Sequence, residues 1–224
     1  MHKPADISAI IFDFDGVILD SVSLKTELFV RCYGDEPSDE QKAHIREYQA
    51  RHGGVGRGEK FAYFERALFN RDPTAGSVAR LSRLYGDLLA TEIGACRYLP
   101  GALTFLDAVH GEIPLHLVSG TLHDDLVRIL DQRNLSRFFA SVIGSPTRKI
   151  DAFQRVIKTE GYEPANVLAI GDSVTELEAA EATGTQFVGI VAPAEENLFP
   201  AGTAIYPSLA CLLVDWQKPA APAA

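Results

Sequence analysis

The sequence predicts an α/β fold built on a parallel β-sheet, because short apolar segments alternate along the chain with segments of helical periodicity. The apolar segments, which we interpret as strands, are residues 8–12, 113–118, 167–170 and 186–191. The helical segments in the same part of the chain are residues 101–110, 124–134, 149–160 and 176–183. Strands that alternate with helices of this length are typical of βαβ units, in which the strands run parallel.

Residues 20–96 interrupt this alternation, because they carry helical patterns and no convincing strand. The helices predicted here are residues 21–33, 38–51, 59–69 and 78–93. A helical block between the first two strands of a parallel sheet would stand over the strand ends as a lid. We therefore predict a catalytic core formed by residues 1–19 and 97–216, an all-helical cap formed by residues 20–96, and a disordered tail formed by residues 217–224.

Several helix ends carry recognisable signals. Ser38 followed by Gln41, and Thr121 followed by Asp124, have the form of capping boxes. Glycines stand where two of the predicted helices should end, at Gly161 and Gly184. These signals support the predicted boundaries of four helices.

Size and composition limit the class of protein. A chain of 224 residues with 46% hydrophobic residues can bury a substantial core, and its net charge of −9 argues against a nucleic-acid partner. No apolar run approaches the roughly 20 residues that span a bilayer. The three cysteines are widely spaced and lack metal-ligand pairing, which favours a reducing cytosol. We expect a cytoplasmic protein without a membrane partner, present as a monomer or a homodimer.

The first predicted strand ends in two carboxylates, Asp13 and Asp15, followed by Gly16. Side chains two residues apart share a face of a strand, and ligands of open α/β sheets bind where strands end. Because neighbouring carboxylates repel, the pair calls for a metal ion, a shared proton, or both. The alternative is an ordinary turn, since Asp and Gly are common turn residues.

Three further polar positions follow or adjoin other predicted strands. Ser119 follows the second strand, Asp172 follows the third, and Lys149 begins a helix between them. Each has a plain alternative: a turn serine, a helix-capping aspartate, and a solvated lysine whose role Arg148 could take. Together with the acidic pair, these positions would meet at one edge of the sheet.

On these motifs the chain resembles the haloacid dehalogenase superfamily, in particular its phosphatase branch with a helical cap after the first strand, which includes phosphoglycolate phosphatases and β-phosphoglucomutases. The resemblance covers nearly the whole chain and implies a Rossmann-like core. The motifs are Asp13-Phe14-Asp15-Gly16-Val17-Ile18, Val118-Ser119-Gly120-Thr121, Ser145-Pro146-Thr147-Arg148-Lys149 and Gly171-Asp172-Ser173-Val174-Thr175-Glu176.

The resemblance implies a role for each acidic residue. Asp13 would attack phosphorus, and Asp15 would protonate the leaving alkoxide and then deprotonate the hydrolytic water. The carboxylates of Asp13 and Asp172 and the backbone carbonyl of Asp15 would hold Mg²⁺. We expect neighbouring carboxylates and exclusion of water to raise the pKa of Asp15. Many relatives carry Asp where this chain has Glu176, so Glu176 is a candidate only for holding the water ligands of the metal.

The same resemblance implies the phosphate contacts. Ser119 would donate a hydrogen bond to a phosphoryl oxygen, Lys149 would contact both the phosphoryl group and Asp13, and the backbone near Gly16 would complete the cradle. In the predicted cap, the glycine-rich loop 51–60 could reach a substrate, with Arg57 its best candidate. A flexible connector between two helices is the alternative interpretation of that loop.

The sequence thus favours a Mg²⁺-dependent phosphatase that hydrolyses a small phosphorylated metabolite, such as a sugar phosphate, through an aspartyl-phosphate. A phosphomutase would share every core residue, and a non-catalytic binding protein could use the same fold. Dehalogenation is disfavoured because Asp15 is present, and a receiver domain is disfavoured by the helical insertion. Phosphonate cleavage would require a lysine in the cap, for which Lys60 and Lys25 are available, and nothing in the sequence marks either as desolvated.

Overall fold

The computed structural model describes residues 7–193 and 195–218, so most of the predicted tail, from Pro219 onward, lies outside the described residues. The strands are β1 (Ala9–Phe12), β2 (Leu115–Leu122), β3 (Ser141–Ser145), β4 (Val167–Gly171), β5 (Gln186–Ile190) and β6 (Ile205–Tyr206). The α-helices are α1 (Val22–Arg31), α2 (Asp39–Arg51), α3 (Arg57–Ala67), α4 (Ala75–Glu92), α5 (Ala102–Val109), α6 (His123–Gln132), α7 (Lys149–Glu160), α8 (Val174–Thr183) and α9 (Leu209–Trp216).

The six strands form one parallel sheet in the order β3-β2-β1-β4-β5-β6. The predicted α/β fold with a parallel sheet is confirmed. Strand β1 lies between β2 and β4, so the residues that follow it are flanked by the ends of both neighbours. The sequence patterns did not predict β3 or β6, because β3 carries few apolar residues and β6 is only two residues long.

Each face of the sheet is covered by its own hydrophobic cluster. Along β1, Ile10 and Phe12 belong to one cluster, whereas Ala9 and Ile11 belong to the other. This alternation follows from the period of two in strand side chains. Because both faces are buried, β1 reads as a continuous apolar run, which is typical of a central parallel strand.

The helices α1–α4 all lie between β1 and β2 in the chain, and we call them the inserted helices. They pack around an aromatic cluster in which the Phe29 ring centroid lies 5.1 Å from that of Phe61, 5.8 Å from that of Phe64 and 4.7 Å from that of Tyr85. These residues belong to the same hydrophobic cluster as Phe12 of the central strand. The division into a core and a cap stays a prediction.

Most of the predicted helix-end signals are confirmed. Ser38 and Gln41 form a complete capping box at the start of α2. Gly161 and Gly184 end α7 and α8 in the left-handed conformation, with φ of 71° and 76°. The capping box predicted at Thr121 is wrong, because β2 continues to Leu122 and α6 begins at the next residue without a side-chain cap.

The described part of the chain contains no helix that is both long enough and apolar enough to cross a membrane.

Candidate active site

The acidic pair lies at the centre of the edge where the parallel strands end. Asp13 and Asp15 follow β1, and Asp172 follows β4. Ser119 lies inside β2 rather than after it, two residues beyond Leu117, where the pairing with β1 ends. Lys149 is the first residue of α7, which comes after β3. The side chains named by the sequence therefore arrive from four different elements, as the parallel topology requires.

Asp13 is held by two donors in a nearly closed environment, since only 6% of its surface is exposed. One carboxylate oxygen accepts a hydrogen bond from the backbone N–H of Phe14 at 2.7 Å, and the other accepts one from Nζ of Lys149 at 3.1 Å. Burial raises the pKa of Asp13, the Lys149 ammonium opposes this rise, and the Asp15 carboxylate adds to it. Lys149 thus fixes the direction of the Asp13 carboxylate.

Three carboxylates meet beside Lys149. Oxygen atoms of Asp13, Asp172 and Glu176 lie within 4.8 Å of one another. Burial, followed by the repulsion from Asp13, raises the pKa of Asp172 well above its usual range. A group of close, buried carboxylate oxygens with unbalanced negative charge is a donor set that suits a hard divalent cation. The chemistry of the site therefore suits a divalent metal ion, and its identity as Mg²⁺ stays a prediction.

Glu176 takes a more central position than its sequence context indicated. Its Oε2 accepts hydrogen bonds from the backbone N–H and the hydroxyl of Ser173, at 2.9 Å and 2.6 Å. Its Oε1 contacts the ammonium of Lys149. Glu176 therefore joins the start of α8 to Lys149, while its carboxylate is one of the three in the acidic group.

Lys149 rather than Arg148 reaches Asp13. Arg148 instead pairs with Asp151 at the surface, at 2.9 Å, and its side chain is 73% exposed. The side chain of Lys149 is only 5% exposed and contacts both Asp13 and Glu176. The structure thus places the predicted lysine at the site and leaves Arg148 outside it.

Asp15 is surrounded by donors. Its Oδ1 lies 2.5 Å from the Ser21 hydroxyl and 2.5 Å from Nζ of Lys25, and its Oδ2 accepts hydrogen bonds from Thr121 at 2.8 Å and Ser119 at 3.4 Å. Burial raises the pKa of Asp15, but the Lys25 ammonium and the hydroxyl donors outweigh burial and lower it overall. The prediction of a raised pKa is therefore wrong for this arrangement.

The sequence interpretation did not assign Ser21, Lys25 or Thr121 to the site. Ser21 precedes α1 and Lys25 lies four residues further on, so both side chains lie on the same side of that helix. Lys25 also donates to the Thr121 hydroxyl at 2.6 Å, which joins the inserted helices to β2. The sequence signal that could have indicated these two residues is their position, since they are four residues apart and follow shortly after the acidic pair.

Gly16 and Ser119 occupy the expected places with partners of their own. The backbone N–H of Gly16 donates to the Leu19 carbonyl at 3.0 Å, and its φ of 75° and close approach to Asp172 explain why a side chain is excluded there. The Ser119 hydroxyl accepts a hydrogen bond from the Thr121 N–H at 3.1 Å. Their contacts with substrate stay predictions.

A cavity lies between the acidic pair and the inserted helices. It encloses about 740 Å³ of space, part of it open to solvent, and its lining includes Asp13, Asp15, Lys25, Arg57 and Lys60. Arg57 lines this cavity, and its guanidinium pairs with the carboxylate of Asp125 in α6 at 2.5 Å, while its contact with substrate stays a prediction. No sequence pattern indicated this ion pair, whose members are 68 residues apart.

The glycine-rich loop before α3 lies directly against the strand ends. A Cβ atom on Gly54 would stand 2.9 Å from Cε of Lys149 and would overlap the Thr175 side chain. A Cβ atom on Gly120 would lie 2.8 Å from the Gly54 carbonyl oxygen. Because Gly54 and Gly120 have no side chains, the loop can lie close to Lys149.

We expect Gly54→Ala to lower kcat/KM by about 10- to 100-fold, because the loop must move and Lys149 must shift. Gly53→Ala is the matched control, since its Cβ would meet nothing nearer than Ser173 at 3.6 Å. Steady-state kinetics of both variants test this prediction. Equal activity of Gly54→Ala and the control would show that the loop does not have to lie this close to Lys149.

Comparison with known proteins identifies the family. The haloacid dehalogenase-like hydrolases match residues 7–184, which extend from before β1 to the end of α8. The chain belongs to this family. The match includes all of the motif residues on which the resemblance rested. The predicted family is confirmed, as is the prediction of a hydrolase with phosphatases among its relatives.

Individual relatives of this haloacid dehalogenase-like hydrolase are distant. Phosphoglycolate phosphatase of Synechococcus elongatus is 27% identical over 191 residues, covering 82% of this chain and 84% of the relative. Enolase-phosphatase E1 of Acidiphilium cryptum is 26% identical over 200 residues, covering 85% of this chain and 83% of that relative. The crystal structure of CbbY from Rhodobacter sphaeroides in complex with phosphate has a TM-score of 0.74 at 19% identity, covering 92% of this chain and 96% of that chain. This last likeness shows the fold.

Proposed function

We propose that this hydrolase is a Mg²⁺-dependent phosphatase that cleaves a small phosphorylated metabolite through an aspartyl-phosphate at Asp13. The observation that carries the proposal is the arrangement of Asp13, whose carboxylate is oriented by Lys149 within a group of acids and lies two residues from a second, separately held acid. The names of the relatives support a phosphatase.

The chain supplies a nucleophile and an acid–base group for two successive steps. In the first, an Asp13 oxygen forms a bond to phosphorus as the bond to the leaving alkoxide breaks, and Asp15 gives the alkoxide a proton. In the second, water attacks the same phosphorus, Asp15 takes its proton, and the Asp13 carboxylate departs with release of phosphate. The Lys25 ammonium and the hydroxyl donors favour the ionised form of Asp15, which is the form that the second step needs, so the first step uses the minor, protonated form.

The buried acids and Lys149 share the task of binding charge. When bound by Asp13, Asp172 and the Asp15 carbonyl, Mg²⁺ would supply positive charge to the phosphoryl oxygens and offset the repulsion among the carboxylates. Lys149, which contacts Asp13, is a second cation in this site, and Ser119 offers a hydroxyl donor. The inserted helices serve in this proposal as the cap that excludes water.

A panel of phosphorylated compounds tests the proposed function. We expect phosphate release in the presence of Mg²⁺ from at least one sugar phosphate or small phosphorylated acid, and none from nucleic acid. Sugar bisphosphates belong in the panel, because isomer formation without phosphate release would identify a phosphomutase instead. If phosphate is released from none of the compounds in the panel, a binding protein on this fold is favoured.

We expect Asp15→Asn to lower kcat/KM for alkyl phosphates by about 10²- to 10⁴-fold, because an alkoxide needs a proton to leave. The loss for an aryl phosphate such as p-nitrophenyl phosphate should be much smaller, since its leaving group is stable as an anion. The exposed Asp20 provides the control variant Asp20→Asn. Equal losses for alkyl and aryl substrates would remove the acid role from Asp15.

A further inference from the structure

Lys60 is a buried lysine in the wall of the cavity. It lies in α3, and only 2% of its surface is exposed. Its Nζ donates to Oε1 of Gln49 at 2.6 Å and to the Gly53 carbonyl at 3.1 Å, and it lies 5.5 Å from the centroid of the Phe29 ring. Its immediate partners are therefore two neutral oxygens and an aromatic face.

The other cations in the wall of this cavity each have a carboxylate partner. Lys25 pairs with Asp15 and Arg57 pairs with Asp125, both at 2.5 Å. Among the described residues, no carboxylate oxygen lies within 4.0 Å of Nζ of Lys60. Lys60 is thus the cavity cation whose charge the described protein does not pair.

An unpaired ammonium at such a depth is costly, because it has lost water without gaining an opposite charge. Burial, together with repulsion from Lys149 and Lys25, lowers the pKa of Lys60 to about 7, while Asp15 and Asp13 act in the opposite direction. An anion placed against Nζ would offset this cost and favour the charged form. The open side of the cavity is where such an anion could enter.

We propose that Lys60 binds a second anionic group of the substrate, a carboxylate or a phosphate at the end remote from the phosphoryl group that is cleaved. This proposal rests on the proposed phosphatase function and narrows its substrate class to small phosphorylated compounds that carry another negative charge. Arg57 is less suited to this task, because Asp125 already pairs with its guanidinium.

The position of the loop limits the length of such a substrate. Lys60 contacts the carbonyl of Gly53, and the next residue, Gly54, packs against Lys149. The two lysines therefore contact neighbouring residues of one loop, so both lie close to that loop. A compact molecule with an anion at each end fits this arrangement better than a long one.

Two matched substrate pairs test the proposal on the wild-type chain with Mg²⁺. 2-Phosphoglycolate and 2-hydroxyethyl phosphate differ mainly in the remote carboxylate, and glucose 1,6-bisphosphate and glucose 6-phosphate differ in the second phosphate. In at least one pair, we expect kcat/KM to be about 10- to 100-fold higher for the member that carries the second anionic group. This is the range for a hydrogen bond to a charged group. The preferred pair distinguishes a carboxylate from a phosphate.

The variant Lys60→Met then assigns the preference to this residue. We expect Lys60→Met to remove most of the preference for the substrate that carries a second anionic group, chiefly through a higher KM. Its kcat/KM for the substrate that lacks this second group should stay within about threefold of the wild-type value. Lys42→Met is the control, because Lys42 lies on α2 and pairs with the exposed Asp39 outside the cavity. Thermal unfolding of both variants shows whether they are folded.

Each remaining outcome overturns a different claim. If Lys60→Met lowers kcat/KM equally for substrates with and without the second anionic group, Lys60 only supports the loop. If the wild type shows no preference for the member with the second anionic group in either pair, the proposal is overturned even if Lys60→Met fails to fold. Absence of phosphate release from the whole panel would instead overturn the proposed phosphatase function.

Discussion

Asp13→Asn should abolish phosphate release, with kcat reduced by at least about 10⁴-fold, the scale seen when a covalent nucleophile is removed. The amide keeps the shape of the side chain but cannot attack phosphorus as a carboxylate does. The fold should remain, because the substitution removes a negative charge from a buried group of repelling carboxylates. Phosphate release and circular dichroism, measured on the same preparation, test both expectations.

The matched control for this variant is Asp20→Asn, which changes an exposed acid a short distance along the chain. It should retain wild-type kinetics. Release of phosphate by Asp13→Asn at the control rate would contradict the assignment of Asp13 as the nucleophile. Loss of the folded signal would instead show that Asp13 is needed for the structure, and Asp13→Ser would then be the second variant to measure.

Removal of divalent metal with a chelator should also abolish activity, and added Mg²⁺ should restore it. The reason is the charge of the site, where Asp13, Asp172 and Glu176 face Lys149 as their cationic partner and would face a substrate phosphate as well. Without a divalent cation, the approach of an anionic phosphate to these carboxylates is opposed. Phosphate release before and after chelation measures the effect.

Stability gives a second readout of the metal that does not depend on turnover. A ligand that binds only the folded chain stabilises it by about 2.7 kcal/mol at 100 times its Kd, so Mg²⁺ should raise the Tm of the wild type. Asp172→Asn should reduce this rise. Full activity in the presence of chelator, together with a Tm that Mg²⁺ leaves unchanged, would remove the metal from the proposed function.

Much of the fold was predictable because the central strands are buried on both faces. Strands β1 and β4 read as near-continuous apolar runs, β2 and β5 each contain a shorter apolar stretch, and the helices between them carry clear periodicity. Strand β3 was missed because two of its five residues are serines and a third is glycine. Short, mixed segments of this kind depend on their neighbours in the sheet and not on their own pattern.

The sequence located the acidic site because parallel topology brings strand ends together regardless of the distance along the chain. It could not predict the donors around Asp15, since the position of Lys25 depends on how α1 packs above β1 and β2. The same reason explains the missed Arg57–Asp125 pair and the burial of Lys60, both of which arise from packing between the inserted helices and their surroundings. The sequence indicated Arg57 as a candidate substrate contact and Lys25 and Lys60 as available lysines, but it did not indicate the partners of any of them.

The most direct test is to identify the residue that becomes phosphorylated during turnover. Rapid acid quenching of the enzyme with its best substrate, followed by proteolysis and mass spectrometry, locates the phosphoryl group. We predict that it lies on the peptide containing Asp13, and that it is absent from Asp13→Asn. A phosphoryl group on another residue, or turnover with no phosphorylated peptide under conditions that preserve acyl phosphates, would contradict the covalent mechanism.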